Sequence, residues 1–268
     1  INRAYLTYES EISPALKVKI QSDVGRHKND SKNTHLFFYL KNAKLDWNNS
    51  FGTFTFGLQS TNIFKIQERN WGYRFIEKSA MDLFGLASSA DLGIGWYYQM
   101  KPGLKGSLLI TNGSGYKKPE NDKYKLISLR LVTGAEKLQN PGFNAGTILT
   151  YTRYDVDSVT VGNKSIIGIF SSLGGNAFRI GGEYDYYNDS ENSRDFSIIS
   201  VYGNFKISEY YEFFIRTDQT TNDMENKKYI IGLNINPAPG FKIAPHLNYT
   251  QDKTENSLVY GLNFEFKF

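Results

Sequence analysis

From Ser257 to the end of the chain, Leu258, Tyr260, Leu262, Phe264, Phe266 and Phe268 alternate with Val259, Gly261, Asn263, Glu265 and Lys267. A period of two places every large apolar side chain on one face of an extended strand and the small or polar ones on the other. The same rhythm recurs along most of the sequence. Leu16, Val18 and Ile20 alternate with Lys17, Lys19 and Gln21; Leu92, Ile94, Trp96, Tyr98 and Met100 alternate with Asp91, Gly93, Gly95, Tyr97 and Gln99. Phe178, Ile180, Gly182, Tyr184 and Tyr186 likewise oppose Arg179, Gly181, Glu183 and Asp185, and Tyr211, Phe213 and Ile215 oppose Glu212, Arg216 and Asp218.

Such a chain is all-β, and its outward aromatic faces ask for an apolar surrounding. A transmembrane β-barrel meets lipid with one face of each strand and a wet lumen with the other. Hydrophobic residues make up 40% of the 268, yet no run of 18 apolar residues exists, so helical membrane spans are excluded. Strands recur roughly every 15 to 20 residues and are joined by alternately tight and longer connections. Tight turns fall at Ser13-Pro14, Asn48–Gly52, Lys101–Gly103, Leu173–Asn176, Ser208-Glu209 and Asn236–Gly240. One-sided sorting of loops matches a barrel with short periplasmic turns.

Fifteen strands are counted. Bacterial single-chain barrels have even numbers, so an antiparallel up-and-down barrel of about sixteen is expected, with one strand ahead of Ile1; fourteen is the alternative. Residues 1–268 form a single domain. The sequence begins at Ile1 without Met, a basic leader or an apolar leader segment, so a secretory signal, if there was one, has been removed or lies outside this sequence. Pro245 falls inside the fourteenth strand, where a missing N–H calls for a bulge or a strand end. Trp47, Trp96, Tyr98, Tyr184, Tyr186, Tyr211, Tyr249 and Tyr260 suit aromatic girdles at the membrane surfaces.

The rhythm fails from Thr61 to Ala90, where Ile76, Ala80, Leu83 and Phe84 fall at helical spacing before Gly85. This insertion is either a surface loop with a short helix or a loop tucked into the barrel mouth. In the second case Arg69, Arg74, Glu77, Lys78 and Asp82 set the charge of a constriction. The inward charges expected to line a pore are Lys17, Lys19, Asp23, Arg130, Arg179, Glu183, Asp185, Glu212, Arg216 and Asp218.

Cysteine is absent and only His27, His35 and His246 are present, without ligand spacing, so no metal or other cofactor is expected. Gly113-Ser114-Gly115 lacks the strand–turn–helix setting of a nucleophile elbow, and no enzyme is expected. Net charge is +4 with no basic run, which does not indicate nucleic acid.

Two resemblances add to this reading. Gly261, Phe264, Phe266 and Phe268 resemble the terminal signal through which bacterial outer-membrane barrels engage the barrel-assembly machinery. Arg3-Ala4-Tyr5-Leu6, Phe213-Phe214-Ile215-Arg216-Thr217-Asp218 and Pro237-Ala238-Pro239-Gly240-Phe241-Lys242-Ile243-Ala244-Pro245 resemble the porin O/P-like family of outer-membrane channels. That resemblance implies a channel, often a homo-trimer, set among membrane lipid and lipopolysaccharide and passing small polar solutes or ions. The arginine ladder of the phosphate-selective members has no counterpart here, because the inward charges mix signs. The expectation is therefore a porin of the outer membrane, with a lumen-plugged barrel that anchors an envelope partner as the alternative.

Overall fold

A computed structural model of the chain describes residues 4–26, 35–120, 122–138, 141–192, 194–221, 226–253 and 255–267. Among them lie fifteen strands: β1 (Tyr5–Ser13), β2 (Leu16–Arg26), β3 (Leu36–Asn49), β4 (Gly52–Ser60), β5 (Ala90–Lys101), β6 (Leu104–Thr111), β7 (Leu126–Gly134), β8 (Gly142–Asp155), β9 (Val161–Gly174), β10 (Phe178–Asp189), β11 (Arg194–Lys206), β12 (Tyr211–Thr220), β13 (Lys227–Ala238), β14 (Phe241–Gln251) and β15 (Asn256–Phe266). Each pairs antiparallel with the next, in unbroken sequence order from β1 to β15. The count of fifteen stands, and fourteen does not.

The outer face is predominantly apolar. Leu92, Ile94, Ile167, Ile169, Val201 and Leu262 are each about half exposed. Water would not tolerate a continuous apolar belt of this size, since monomeric soluble proteins rarely expose patches beyond a few hundred Å². Aromatic pairs sit on this face near the tight turns: Trp47 with Phe54 at 5.8 Å, Trp96 stacked on Tyr98 at 5.6 Å, and Phe241 stacked on Phe266 at 4.7 Å.

Two details differ from the pattern read in sequence. Pro245 sits in register opposite Leu262 of β15, with neither a bulge nor a strand end; the ladder to β13 instead skips from Gly232↔His246 to Ile235↔Ile243. The missing N–H thus coincides with an interruption on the β13 side. A bulge does occur at Lys41, between the pairs Gln21↔Asn42 and Ser22↔Leu40, and it turns both Lys41 and Asn42 inward to burial.

The insertion carries two short helices, α1 (Lys65–Trp71) and α2 (Ala80–Leu83). The single helix expected around Ile76–Phe84 is not formed; only Ala80–Leu83 is helical, and Ile76 lies between the helices. Gly72 ends α1 in the left-handed conformation, at φ 80°, and its N–H donates to the Glu68 carbonyl. Polar groups of this one segment reach the inner faces of β6, β7, β8, β10, β11, β12, β13 and β15. A single stretch can meet strands spread from β6 to β15 only if the sheet curls around it. The insertion therefore lies inside the curl and is not a surface loop.

Candidate functional site: the polar cavity beside the inserted segment

The interior has two unlike halves. On the β7–β14 side, inward Val132, Ile148, Ile166, Phe170, Phe196, Ile198, Phe214, Ile230 and Ala244 are all buried. They pack against Ile63, Phe64, Ile66, Trp71, Tyr73, Ile76, Ala80 and Met81 of the insertion. Trp71 is the centre of this contact. Its ring meets Tyr73, Tyr202 and Phe214 edge-on at 5.3, 5.8 and 6.0 Å, and the Arg216 guanidinium lies over it at 5.2 Å.

Polar groups complete the docking, because the insertion's backbone must find partners once water is gone. Asn62 donates to Ser107, Ser128 Oγ donates back to Asn62 at 2.6 Å, and Asn70 and Asn144 exchange amide bonds at 2.8 and 3.0 Å. Asn204 donates to the Trp71 carbonyl, Arg216 to the Lys78 carbonyl at 2.6 Å, and Asn263 to the Phe75 carbonyl. Arg179 lies against the C-terminal end of α1, donating to the Asn70 carbonyl at 3.5 Å, where a cation also complements the helix dipole.

These contacts relocate several charges. Arg216, at 2% exposure, donates through Nε to Asp218 at 2.8 Å, and Asp218 and Asp185 are fully buried. Glu183 is half-buried with a sealed Oε2. Arg179 and Glu212 are half-buried on the same wall. The expectation that Arg179, Glu183, Asp185, Glu212, Arg216 and Asp218 line an open pore is corrected: they stand on the wall that the insertion covers, and the innermost of them lie beneath it. Asp23, also buried, is held near Lys41 and Tyr116.

The other half, facing β1–β5, holds a cavity of about 560 Å³. Polar inward residues line it: Glu9 and Glu11 of β1, Lys17 and Lys19 of β2, Asn42, Lys44 and Asp46 of β3, Thr53, Thr55 and Gln59 of β4, and Tyr97 of β5. Arg130 and Glu136 close one side, and Lys65 and Arg69 of α1 face them. Of the expected pore residues, Lys17, Lys19 and Arg130 are therefore brought together here. Of the five expected constriction charges, only Arg69 lines the cavity. Arg74 is tied to Glu68 at 2.6 Å and Asp82 at 3.1 Å, Lys78 lies 3.7 Å from Asp82, and Glu77 pairs with Lys228. Burial alone would raise the Glu77 carboxyl, but the Lys228 ammonium and the Lys78 N–H outweigh it and hold it below its ordinary value.

Lys65 was not singled out by the sequence, which showed it only as one residue in an aperiodic stretch. Its neighbours in the cavity are Arg69, Lys44, Lys19 and Arg130; burial and then their like charge bring its amine down to about 8.

His246 points inward, donates through Nδ1 to the Ala244 carbonyl at 3.0 Å, and lies against β15 at Gly261. A Cβ at Gly261 would come within 2.2 Å of that imidazole, which gives this glycine a packing reason of its own. Phe264 and Phe266 face outward and are more than half exposed; Phe268 lies outside the described residues. Among the described residues no group of acidic and imidazole side chains is arranged to hold a metal ion.

Known proteins can now be compared. No family model matches the chain, and no curated protein matches it. Solved structures do. A loop L8 deletion mutant of OmpT, an outer membrane protein of Vibrio cholerae, aligns with a TM-score of 0.68 at 16% identity, over 98% of this chain and 89% of that one. The chain has the fold of the outer-membrane β-barrels. The outer membrane channel DcaP of Acinetobacter baumannii aligns at 0.65 with 10% identity, over 98% and 82% of the two chains. A porin of Rh. blastica, as a triple mutant, aligns at 0.61 with 11% identity, over 99% and 89%. This barrel therefore shares its architecture with channel-forming chains while sharing little of their sequence.

Proposed function

We propose that the protein is a diffusion channel of the bacterial outer membrane, passing small hydrophilic solutes or ions through the polar cavity between α1 and the β1–β5 wall. The observation that supports this most is the division of the interior. Large apolar inward residues gather where the insertion covers them, with the charges of β10 and β12 tied up on that same wall, whereas the inward charges of β1–β3 stand where it does not reach. A barrel meant to be sealed would gain nothing by leaving Lys17, Lys19, Lys44 and Asp46 along an uncovered wall. Neighbours described as an outer membrane channel and as a porin fit the same reading. So do the short motifs that resemble the porin O/P-like family, without the lumenal arginine ladder of its phosphate-selective members. On this reading the chain conducts solutes and does not transform them.

A second reading has its own observation in favour: an insertion packed this closely could seal the lumen and leave the barrel an anchor for an envelope partner. Current through purified, refolded protein in a planar bilayer separates the two. Steady open-state steps are expected; folded protein that conducts nothing would leave the anchor reading.

A further inference from the structure

The charges around the cavity do not cancel. Lys17 is paired with Glu11, Lys19 with Glu9 at 2.7 Å, Lys44 with Asp46 at 2.7 Å, and Arg130 with Glu136 at 3.1 Å. Every carboxylate that lines the cavity is used in these four pairs. Lys65 and Arg69 line it too, and neither has a carboxylate within ion-pair distance among the described residues. Both side chains are accessible from the cavity, although protein packed around the Lys65 head still strips part of its hydration.

Resting on the channel reading above, we propose that Lys65 and Arg69 are the selectivity pair of the channel and make it prefer small anions, of the carboxylate or phosphate-bearing class, over cations. The helix sets the geometry. Residues four apart stand about one turn from each other on a single face, with Cβ atoms some 5–6 Å apart, so two cationic heads reach one anion from the same side. The guanidinium offers a planar fork that matches carboxylate and phosphate oxygens, and the ammonium adds a point charge. The helix that carries them is fixed from behind by Ile66, Gln67, Asn70 and Trp71, all buried, so the pair is held against the water path and does not trail from a loose loop. The opposite wall, being internally paired, presents no net charge to compete. The protein around the Lys65 amine, and after it the like charge of Arg69, Lys44, Lys19 and Arg130, lowers its affinity for a proton, and an entering anion offsets both.

The test is the reversal potential of the refolded protein in a planar bilayer under a potassium chloride gradient, with swelling of liposomes in a neutral sugar measured alongside. The wild-type protein is expected to favour chloride. Lys65→Gln with Arg69→Gln should lower the chloride-to-potassium permeability ratio by about fivefold or more, the Coulomb factor of one close charge pair even at the dielectric of water. Sugar-driven swelling should persist, and Lys65→Arg should keep the ratio. A wild type that favours potassium, or a double variant with an unchanged ratio, would overturn the proposal while leaving the channel reading intact. Absence of both current and swelling in wild type would overturn the channel reading and this one with it.

Discussion

Truncating Trp71 to alanine should loosen the insertion without unfolding the strands. Trp71 is 1% exposed and contacts three aromatic rings and one guanidinium, all but Tyr73 belonging to the wall. Removal of a buried Trp side chain costs about 3–5 kcal/mol, a figure that already contains the lost edge-on ring contacts. None of that is backbone pairing within the sheet, so the cost falls on the docked state of the segment. At 1.4 kcal/mol per factor of ten, the undocked population rises by roughly 10² to 10³ or more. Trypsin reads this directly, since Lys65, Arg69, Arg74 and Lys78 lie in the segment and become cleavable on release. When opening is fast relative to cleavage, the cleavage rate follows the open population. Single-channel recording should show the same change as larger or noisier open steps. Phe214→Ala, which removes a partner of the same ring at 6.0 Å, should give a similar effect and combine with Trp71→Ala less than additively. If Trp71→Ala folds normally yet matches wild type in both cleavage and conductance, the apolar cluster is not what holds the segment in place.

Three further outcomes follow from the same contacts. Arg216→Met should lower the temperature at which folded protein loses its heat-modifiable gel mobility, because breaking a buried pair costs about 3–5 kcal/mol; adding Asp218→Leu should recover most of the loss. Ile199→Arg, on the outer face midway along β11, should cost about 2–4 kcal/mol in urea-monitored folding into bilayers, and Phe266→Arg, at a strand end, about 0–1; equal costs would refute the assignment of that face to lipid. Anion preference should weaken as pH rises through about 8, because Lys65 carries its charge below that value and loses it above; the groups facing it are Arg69 of α1, Lys19 of β2, Lys44 of β3 and Arg130 of β7, and Lys65→Arg should flatten the profile.

The strands were legible because a lipid-facing strand writes its geometry in the sequence. Ile94, Trp96 and Tyr98 with Gly95 and Tyr97 between them give an outward row, and the register of β5 against β4 and β6 agrees with it. The insertion was not legible at the same level. Helix α1 buries Ile66, Gln67, Asn70 and Trp71, so two amides occupy half of its inner face and erase the apolar stripe that marks a helix. Those amides are there because the wall they meet is partly polar, as Asn70 against Asn144 shows. The apolar residues from Tyr73 to Ile76 owe their spacing to Tyr202, Phe214 and Ile230 and not to a helical turn. Tertiary contact, rather than local propensity, sets the order there, and no window of the segment alone contains it.

The missing information lay in the strands instead. Water-facing positions in a barrel should be polar, yet Ile166 and Phe170 face inward on a strand whose outward residues are Ile167 and Ile169, and Ile230 faces inward beside outward Tyr229 and Ile231. A strand apolar on both faces needs an apolar cover on both. Lipid supplies one. Of the connections between described strands, that from Ser60 to Ala90 is by far the longest, and it carries Ile63, Phe64, Ile66, Trp71 and Met81 to supply the other. By contrast β2 keeps strict alternation through Lys17, Lys19 and Gln21, and so asks for no cover. Where inward positions turn apolar, the segment docks and covers the charges of β10 and β12 along with them; on β2 no inward position asks for such a cover. On the channel reading, the path for solute follows the wall the insertion leaves bare.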